Sequence, residues 1–286
     1  MADSLIRGIL GDGVARLFAI DVTGVAEQCR QQHKLRGDAV KLASEAVVAS
    51  AVLACQIKGE ERVSMQIQCS RPECAFIGDV DANGGLRARF TPDVVFISEQ
   101  TGIDGMLLAI KSLPGKELYR GITEIKTEDI LSALNRHMGA SAQVDNILNI
   151  SVEISADGAV THAGGIFIER LPAAPARELE AAAEFVVAFD PIRNIPHREI
   201  MRAIRAKSLQ GLSISILKEQ PMTWRCSCGQ ERVEAILASL PVEELTSMLK
   251  EDGQAEVVCH FCNIAYQVDA DRLEQLIVEQ TPNEVH

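Results

Sequence analysis

Four cysteines near the C-terminus constrain this chain more than any other feature. Cys226-Ser-Cys228 is followed, after the 30 residues 229–258, by Cys259-His-Phe-Cys262. Two close thiol pairs separated by one loop meet the needs of a tetrahedral zinc ion. Each pair supplies two sulfurs on one side of the metal, and the intervening chain folds back to deliver the second pair. The expected ligands are Cys226, Cys228, Cys259 and Cys262, holding one Zn²⁺ in the reduced state. Four thiolates leave no open coordination position, which argues for a structural rather than a catalytic metal. In so small a unit the metal's binding free energy is also folding free energy. His260, inside the second pair, is expected to face solvent because four sulfurs already fill the shell. Trp224 and Tyr266 are expected to pack against the metal knuckles.

The first pair departs from the C-x-x-C spacing of ordinary zinc ribbons, since only Ser227 separates its cysteines. A disulfide closing across one residue makes a small, restrained ring that is readily reduced. Zinc-bound thiolates are already deprotonated, hence the species that oxidants attack, although the metal partly shields them. Oxidising all four would abolish the ligands, release the ion and remove the tail's main folding force. The spacing suits a reversible redox site and a purely structural one about equally.

Charge bears on the partners. The chain carries 40 acidic and 28 basic residues, for a net charge of −12. The tail from residue 223 holds four Lys/Arg against twelve Asp/Glu, a net of −8. A module that grips phosphates needs the opposite balance, so no nucleic-acid partner is expected. Asp3, Arg7, Asp12 and Arg16 interrupt any export signal at the N-terminus. The longest apolar stretch, Ala46 to Ile57, has 12 residues. As a helix it would rise only about 18 Å, short of a bilayer core. The expectation is a cytoplasmic chain without a membrane partner, in a compartment that keeps cysteines as thiols.

Three regions emerge along the chain. Residues 1–171 alternate strand-like and helix-like signals without strict βα order, which predicts an α+β domain of hairpins and helices. Val63 to Cys69 and Cys74 to Val80 read as one hairpin, and Asn149 to Ser155 with Gly165 to Glu169 as a second pair, turning around Asp157-Gly158. Helices are predicted over Asp38 to Ile57, with Asp38 as N-cap, and from Thr127, again as N-cap. Residues 172–222 hold five of the chain's ten prolines and read as a metastable helical linker. Its helical stretches run Arg177 to Phe189 and His197 to Leu209, followed by the β-like Leu212 to Leu217; pieces so short need a docking surface to stay folded. Residues 223–286 form a small zinc-binding domain. In the first hairpin, Cys69 shares a face with Val63, Met65 and Ile67, and Cys74 with Phe76. Closing residues 70–73 would set the two thiols opposite each other, where an accessory disulfide or inert burial are both open. Cys29 and Cys55 carry no signal beyond packing.

The cysteine pattern, with Val257-Val258 before and Tyr266 after the second pair, resembles the C-terminal signature of the 33 kDa chaperonin family. Asp3-Ser-Leu-Ile-Arg7, the Ala-rich helix ending Cys55-Gln-Ile-Lys58, and His162-Ala-Gly-Gly-Ile-Phe-Ile-Glu-Arg-Leu-Pro172 are similar to its N-terminal domain. The resemblance implies a redox-regulated holdase chaperone, inactive while four thiolates hold zinc. On oxidation by hypochlorous acid, or by peroxide with heat, disulfides Cys226–Cys228 and Cys259–Cys262 would form and zinc would leave. The tail and linker would then unfold and expose apolar surface to unfolding client proteins, with a homodimer associated with the active form. Met138-Gly-Ala-Ser-Ala-Gln143 stands where the family usually has Tyr-x-x-Ser-Glu-Gln, and Gly102-Ile-Asp-Gly-Met-Leu-Leu108 is a thin version of its Gly-rich strand. The chain resembles a divergent member.

Two rival functions remain. An enzyme would need a thiol aligned with His33, His137, His162 or His197; the spacing aligns none, and no phosphate-cradling Gly loop is present, so no catalytic activity is expected. A zinc-ribbon adaptor of transcription or translation is weakened by the tail's charge.

Overall fold

The computed structural model describes residues 2–11, 13–97, 102–142, 145–172, 195–209 and 211–280. They divide into two compact units, Met1–Arg225 and Cys226–His286. The first unit runs β1 (Ser4–Leu10), β2 (Ala15–Asp21), α1 (Thr23–Gln32), β3 (Arg36–Gly37), α2 (Asp38–Leu53), β4 (Arg62–Arg71), β5 (Glu73–Asp81), β6 (Gly85–Thr91), β7 (Val94–Val95), β8 (Ile103–Leu113) and β9 (Lys116–Glu128). It continues with α3 (Ile130–Ala142), β10 (Asn146–Ile154), β11 (Val160–Arg170), α4 (His197–Arg205), β12 (Ser208–Leu209), β13 (Leu212–Pro221) and β14 (Thr223–Trp224). One six-stranded sheet has the order β10-β11-β2-β1-β13-β12 and the other β14-β6-β5-β4-β8-β9. No helix among the described residues is long and apolar enough to cross a membrane.

Helix α2 explains how the sheets share one core. Thirteen of its 16 residues are buried, and a helix apolar on all sides must be covered on all sides. It packs against β2, β10 and β11 of one sheet and β4, β5 and β6 of the other. Gly165 on β11 lets it approach, because a Cβ there would lie 2.9 Å from Cγ1 of Val48. The N-cap is Gly37 at φ 59°, not Asp38 as expected. Pairing of β3 with β7 brings the following segment alongside, and the Asp38 carboxylate accepts the Ile97 N–H at 2.8 Å instead.

Both expected hairpins form. β4 pairs with β5 from Arg62↔Asp81 to Ser70↔Glu73, with Cys69 opposite Cys74. β10 pairs with β11, closing where the Ser155 N–H donates to the Ala159 carbonyl at 2.9 Å. Thr127 does not cap a helix. It lies in β9 at φ 51°, where its N–H donates to Asp104 at 2.7 Å, and Asp129 accepts the Ser132 N–H at the helix start.

In the middle region, α4 turns His197, Ile200, Met201 and Ile204 inward, where Ile200, Met201 and Ile204 join Ile6, Leu17 and Ile166 in an apolar cluster. The β-like stretch from Leu212 is strand β13, which pairs antiparallel with β1 from Leu10↔Ile214 to Ser4↔Pro221. The helix expected over Arg177 to Phe189 lies outside the described residues.

The second unit contains α5 (Gln230–Leu237), α6 (Val242–Glu251), β15 (Gln254–Val258), β16 (Ala265–Asp269) and α7 (Ala270–Gln280). Its core is short: among the described residues Val233, Leu237, Leu245, Ala255, Val268, Leu273 and Leu276 form its buried apolar cluster, and Cys262 is buried as well.

Candidate metal centre

The turn between β15 and β16 carries one thiol pair. The strands pair from Gln254↔Asp269 to Val258↔Ala265, and residues 259–264 close the hairpin. Within that turn the Cys259 N–H donates to the Ile264 carbonyl at 2.9 Å and the Asn263 N–H to the Cys259 carbonyl at 2.8 Å. Asn263 takes a left-handed φ of 52°, a conformation that asparagine tolerates better than most residues. The chain thereby aims backbone N–H groups at sulfur: those of Cys262 and Phe261 at Cys259, and that of Ile264 at Cys262.

The other pair precedes α5. Arg232, one turn into that helix, donates to the Ser227 hydroxyl at 3.0 Å and so braces the residue between Cys226 and Cys228. Gln230 donates to the Gln267 carbonyl of β16 at 3.0 Å, tying the two arms together.

The four sulfurs, one from each cysteine, all lie within 4.8 Å of one another. Cys226 approaches Cys259 at 3.6 Å and Cys228 approaches Cys262 at 3.2 Å. A zinc–sulfur bond of about 2.3 Å in tetrahedral geometry requires sulfurs about 3.8 Å apart. The donor set fits a metal ion in number, chemistry and spacing. Both of these approaches cross between the arms, and Cys262 also interacts with Cys259 and Cys226, so proximity singles out no disulfide pairing.

Electrostatics points the same way. Burial pushes the Cys259 thiol up, but the N–H groups of Cys262 and Phe261, with the neighbouring thiols, outweigh it and hold the group down at about 7. Burial lifts Cys262 well above its ordinary value, and the hydrogen bond with Cys228 adds to this. Sulfurs this close cannot all be thiolates unless a cation lies among them.

Tyr266 does more than pack. Its hydroxyl donates to the Cys228 sulfur at 3.0 Å, a bond that raises the phenol to about 12. Aromatic proximity in the sequence hinted at Tyr266; nothing in the pattern marked Arg232 or Gln230. His260 is exposed. Trp224 differs from expectation. It pairs with Leu86 in β14 and packs on the first unit's core, because the chain is still a strand of that sheet at this point.

The remaining cysteines, Cys29, Cys55, Cys69 and Cys74, are buried in the first unit. The histidines considered for catalysis have structural partners. His33 meets the Ala88 carbonyl at 3.0 Å, His137 the Thr123 hydroxyl at 3.0 Å, and His162 meets His197 at 3.0 Å.

The model of the Hsp33 protein family matches residues 3–269. The 33 kDa chaperonin of Bacillus velezensis is 28% identical over 289 residues, spanning 98% of this chain and 99% of its own. That of Bacillus subtilis is 27% identical, spanning 96% and 98%. The crystal structure of the 33 kDa chaperonin from Thermotoga maritima matches with a TM-score of 0.82 at 21% identity, over 98% of this chain and 99% of that one. At that identity the structural likeness speaks for the fold.

Proposed function

The chain belongs to the Hsp33 protein family of chaperones, and from that premise we propose that it is a redox-regulated holdase whose switch is the four-cysteine centre. The observation that carries this reading is the gathering of four sulfurs within 4.8 Å in a unit with so short an apolar core. In the reduced state Cys226, Cys228, Cys259 and Cys262 hold one zinc ion, which supplies the second unit with folding free energy. Tyr266 and the turn N–H groups orient the sulfurs and share their charge.

Oxidation joins Cys226 to Cys228 and Cys259 to Cys262. Each S–S bond that forms gives two electrons to the oxidant, reducing hypochlorous acid to chloride and water, or hydrogen peroxide to water. With all four donors consumed, the second unit loses the contribution that kept it folded. Loss of one folded neighbour destabilises the next. In this reading residues 1–171 are the chaperone core, 172–222 the metastable connector and 223–286 the switch. Apolar surface then becomes available to unfolding client proteins, and the active form dimerises in the cytoplasm. The adaptor reading is disfavoured by a tail that carries −8.

The test is direct. Reduced protein is assayed for zinc and free thiols, oxidised, and mixed with a thermally unfolding client. We expect one zinc per chain, its release with loss of four thiols, and suppression of aggregation only after oxidation. Retained zinc, or equal suppression in both redox states, would refute the switch.

A further inference from the structure

The first unit holds a second pair of thiols that the four-cysteine centre does not use. Cys69 near the end of β4 and Cys74 near the start of β5 are direct cross-strand partners in the antiparallel hairpin. Directly opposed residues in such a pair stand about 4.5 or 5.5 Å apart at Cα. Both spacings fall inside the about 4.4–6.8 Å range that a disulfide spans. The side chains share a face and are 2% and 4% exposed. Their thiols are hydrogen-bonded to each other, which pushes Cys69 up and draws Cys74 down. On its other side Cys69 faces Gly105 of β8, which contributes no side chain. Cys69 also borders a cleft of about 850 Å³ whose rim includes Arg71, Asp104, Met106 and Lys126. The cleft brings solvent to the strand that carries Cys69.

We propose that Cys69 and Cys74 form a second thiol–disulfide couple, oxidised by hydroperoxides independently of the metal centre. One sulfur attacks a peroxide oxygen, the O–O bond breaks, and a sulfenic acid and water result. The other sulfur displaces the sulfenic hydroxyl, which leaves as a second water while the S–S bond forms. The two thiols supply two electrons and two protons, and hydrogen peroxide is reduced to two waters. The bond closes a very short loop, so it adds little stability through chain entropy. Its consequence is chemical: the first unit gains its own two-electron sink. Cys29 and Cys55 make useful internal controls, since burial raises each thiol to about 12 and they lie on α1 and the turn after α2.

The metal-loaded full chain is treated with graded hydrogen peroxide, quenched in acid, unfolded, alkylated and digested without reduction. Peptide mass mapping should find Cys69 linked to Cys74, with Cys29 and Cys55 alkylated. The link should also form in a chain with Cys226, Cys228, Cys259 and Cys262 all changed to Ser. In Cys69→Ala, the same treatment should carry Cys74 to sulfinic or sulfonic acid in place of the disulfide. Finding both Cys69 and Cys74 alkylated at a dose that consumes the metal-centre thiols would overturn the proposal. So would a Cys69–Cys74 link that arises only when the chain is oxidised in denaturant. Both overturning readouts come from the unsubstituted protein and depend on no variant folding.

Discussion

In the first unit a helix such as α2 is buried on every side between two six-stranded sheets, with Ala46, Val47, Val48, Ala49, Ala51 and Val52 wholly enclosed. Among the described residues of the second unit, seven buried side chains form the apolar cluster of two short strands and three helices, and four sulfurs, Cys262 among them buried, converge beside it. Burial of apolar surface scales with size, so a domain of about 60 residues has little to spare after conformational entropy is met. The difference teaches where a switch can be placed. In the proposed reading, chemistry at four sulfur atoms decides the state of the second unit, whereas among the described residues no such cluster underlies the first unit's core.

The sharpest way to break this comparison is to remove the metal. Structural zinc sites contribute roughly 10–16 kcal/mol, more than a unit with this core can replace. Chelation, or Cys262→Ser, should leave amides of β15, β16 and α7 exchanging with solvent at near-unprotected rates. Amides of β4, β5 and β8, whose partner strands all lie outside residues 172–222, should keep their protection. Hydrogen exchange read by mass spectrometry tests both halves, and a protected second unit without metal would show that its apolar core suffices.

The reverse insult should spare the second unit. Met65 in β4 is fully buried in the first unit's core. Met65→Ala should cost about 2–5 kcal/mol there, through lost transfer energy and a cavity. Thermal unfolding of the first unit should shift down, while zinc stoichiometry stays at one per chain. A drop in zinc content would mean the two units are energetically one.

Acid should also act on the first unit. Burial holds His197 down at about 4 from its ordinary 6.5; His162 of β11 lowers it further, and the Gly165 carbonyl, Asp21 and the backbone at Ile20 oppose this. Between those values the unfolded chain binds a proton that the folded chain refuses. The contribution is therefore intact above pH 6.5 and falls as pH drops towards 4, by about 3 kcal/mol in all. Glu45 of α2 has the opposite sign: burial raises it from 4.5 to about 7, so its protonation favours the fold as pH falls through that window. The measurement is thus the difference between the parent and His197→Gln in stability against pH. Equal slopes would show that His197 titrates normally in the folded state.

How much of this was legible in the sequence depends on what each residue is asked to do. Cys226 to Cys262 declare themselves, because metal ligation fixes residue type and spacing together. The β4–β5 hairpin was legible because one face is core and the other is not, giving burial that alternates from Val63 to Cys69. Strands β1 and β2 were not, since both of their faces are covered and Leu5, Ile6, Leu17, Phe18, Ala19 and Ile20 show no period of two. Strand β9 failed for the opposite reason: from Lys116 to Tyr119 every residue is exposed and the period has nothing to report. Asp38 and Thr127 look like caps in sequence, but Ile97, just past β7, and Asp104 of β8 claim or occupy those groups from elsewhere in the chain. Trp224 lies beside the cysteines along the chain, whereas pairing with β6 assigns it to the first unit.

The smallest test probes how finely the centre is tuned. Tyr266 reaches Cys228 with its hydroxyl at 3.0 Å, and its ring packs against the second unit's core. Tyr266→Phe keeps the ring and removes only the donor, so the core is untouched while Cys228 loses a partner for its negative charge. Losses of this kind weaken metal affinity by about 10–100-fold, and with the turn N–H groups still in place we expect the lower end, near 10-fold. Competition against a chromogenic chelator reads that shift, and the same titration under oxidant should show the thiols of Tyr266→Phe disappearing at a lower dose. If affinity is unchanged while thermal stability falls, Tyr266 serves the apolar core alone. If affinity falls and thermal unfolding of the first unit is unmoved, the hydroxyl acts on the metal centre, and the second unit's dependence on four sulfurs extends to a side chain that steadies one of them.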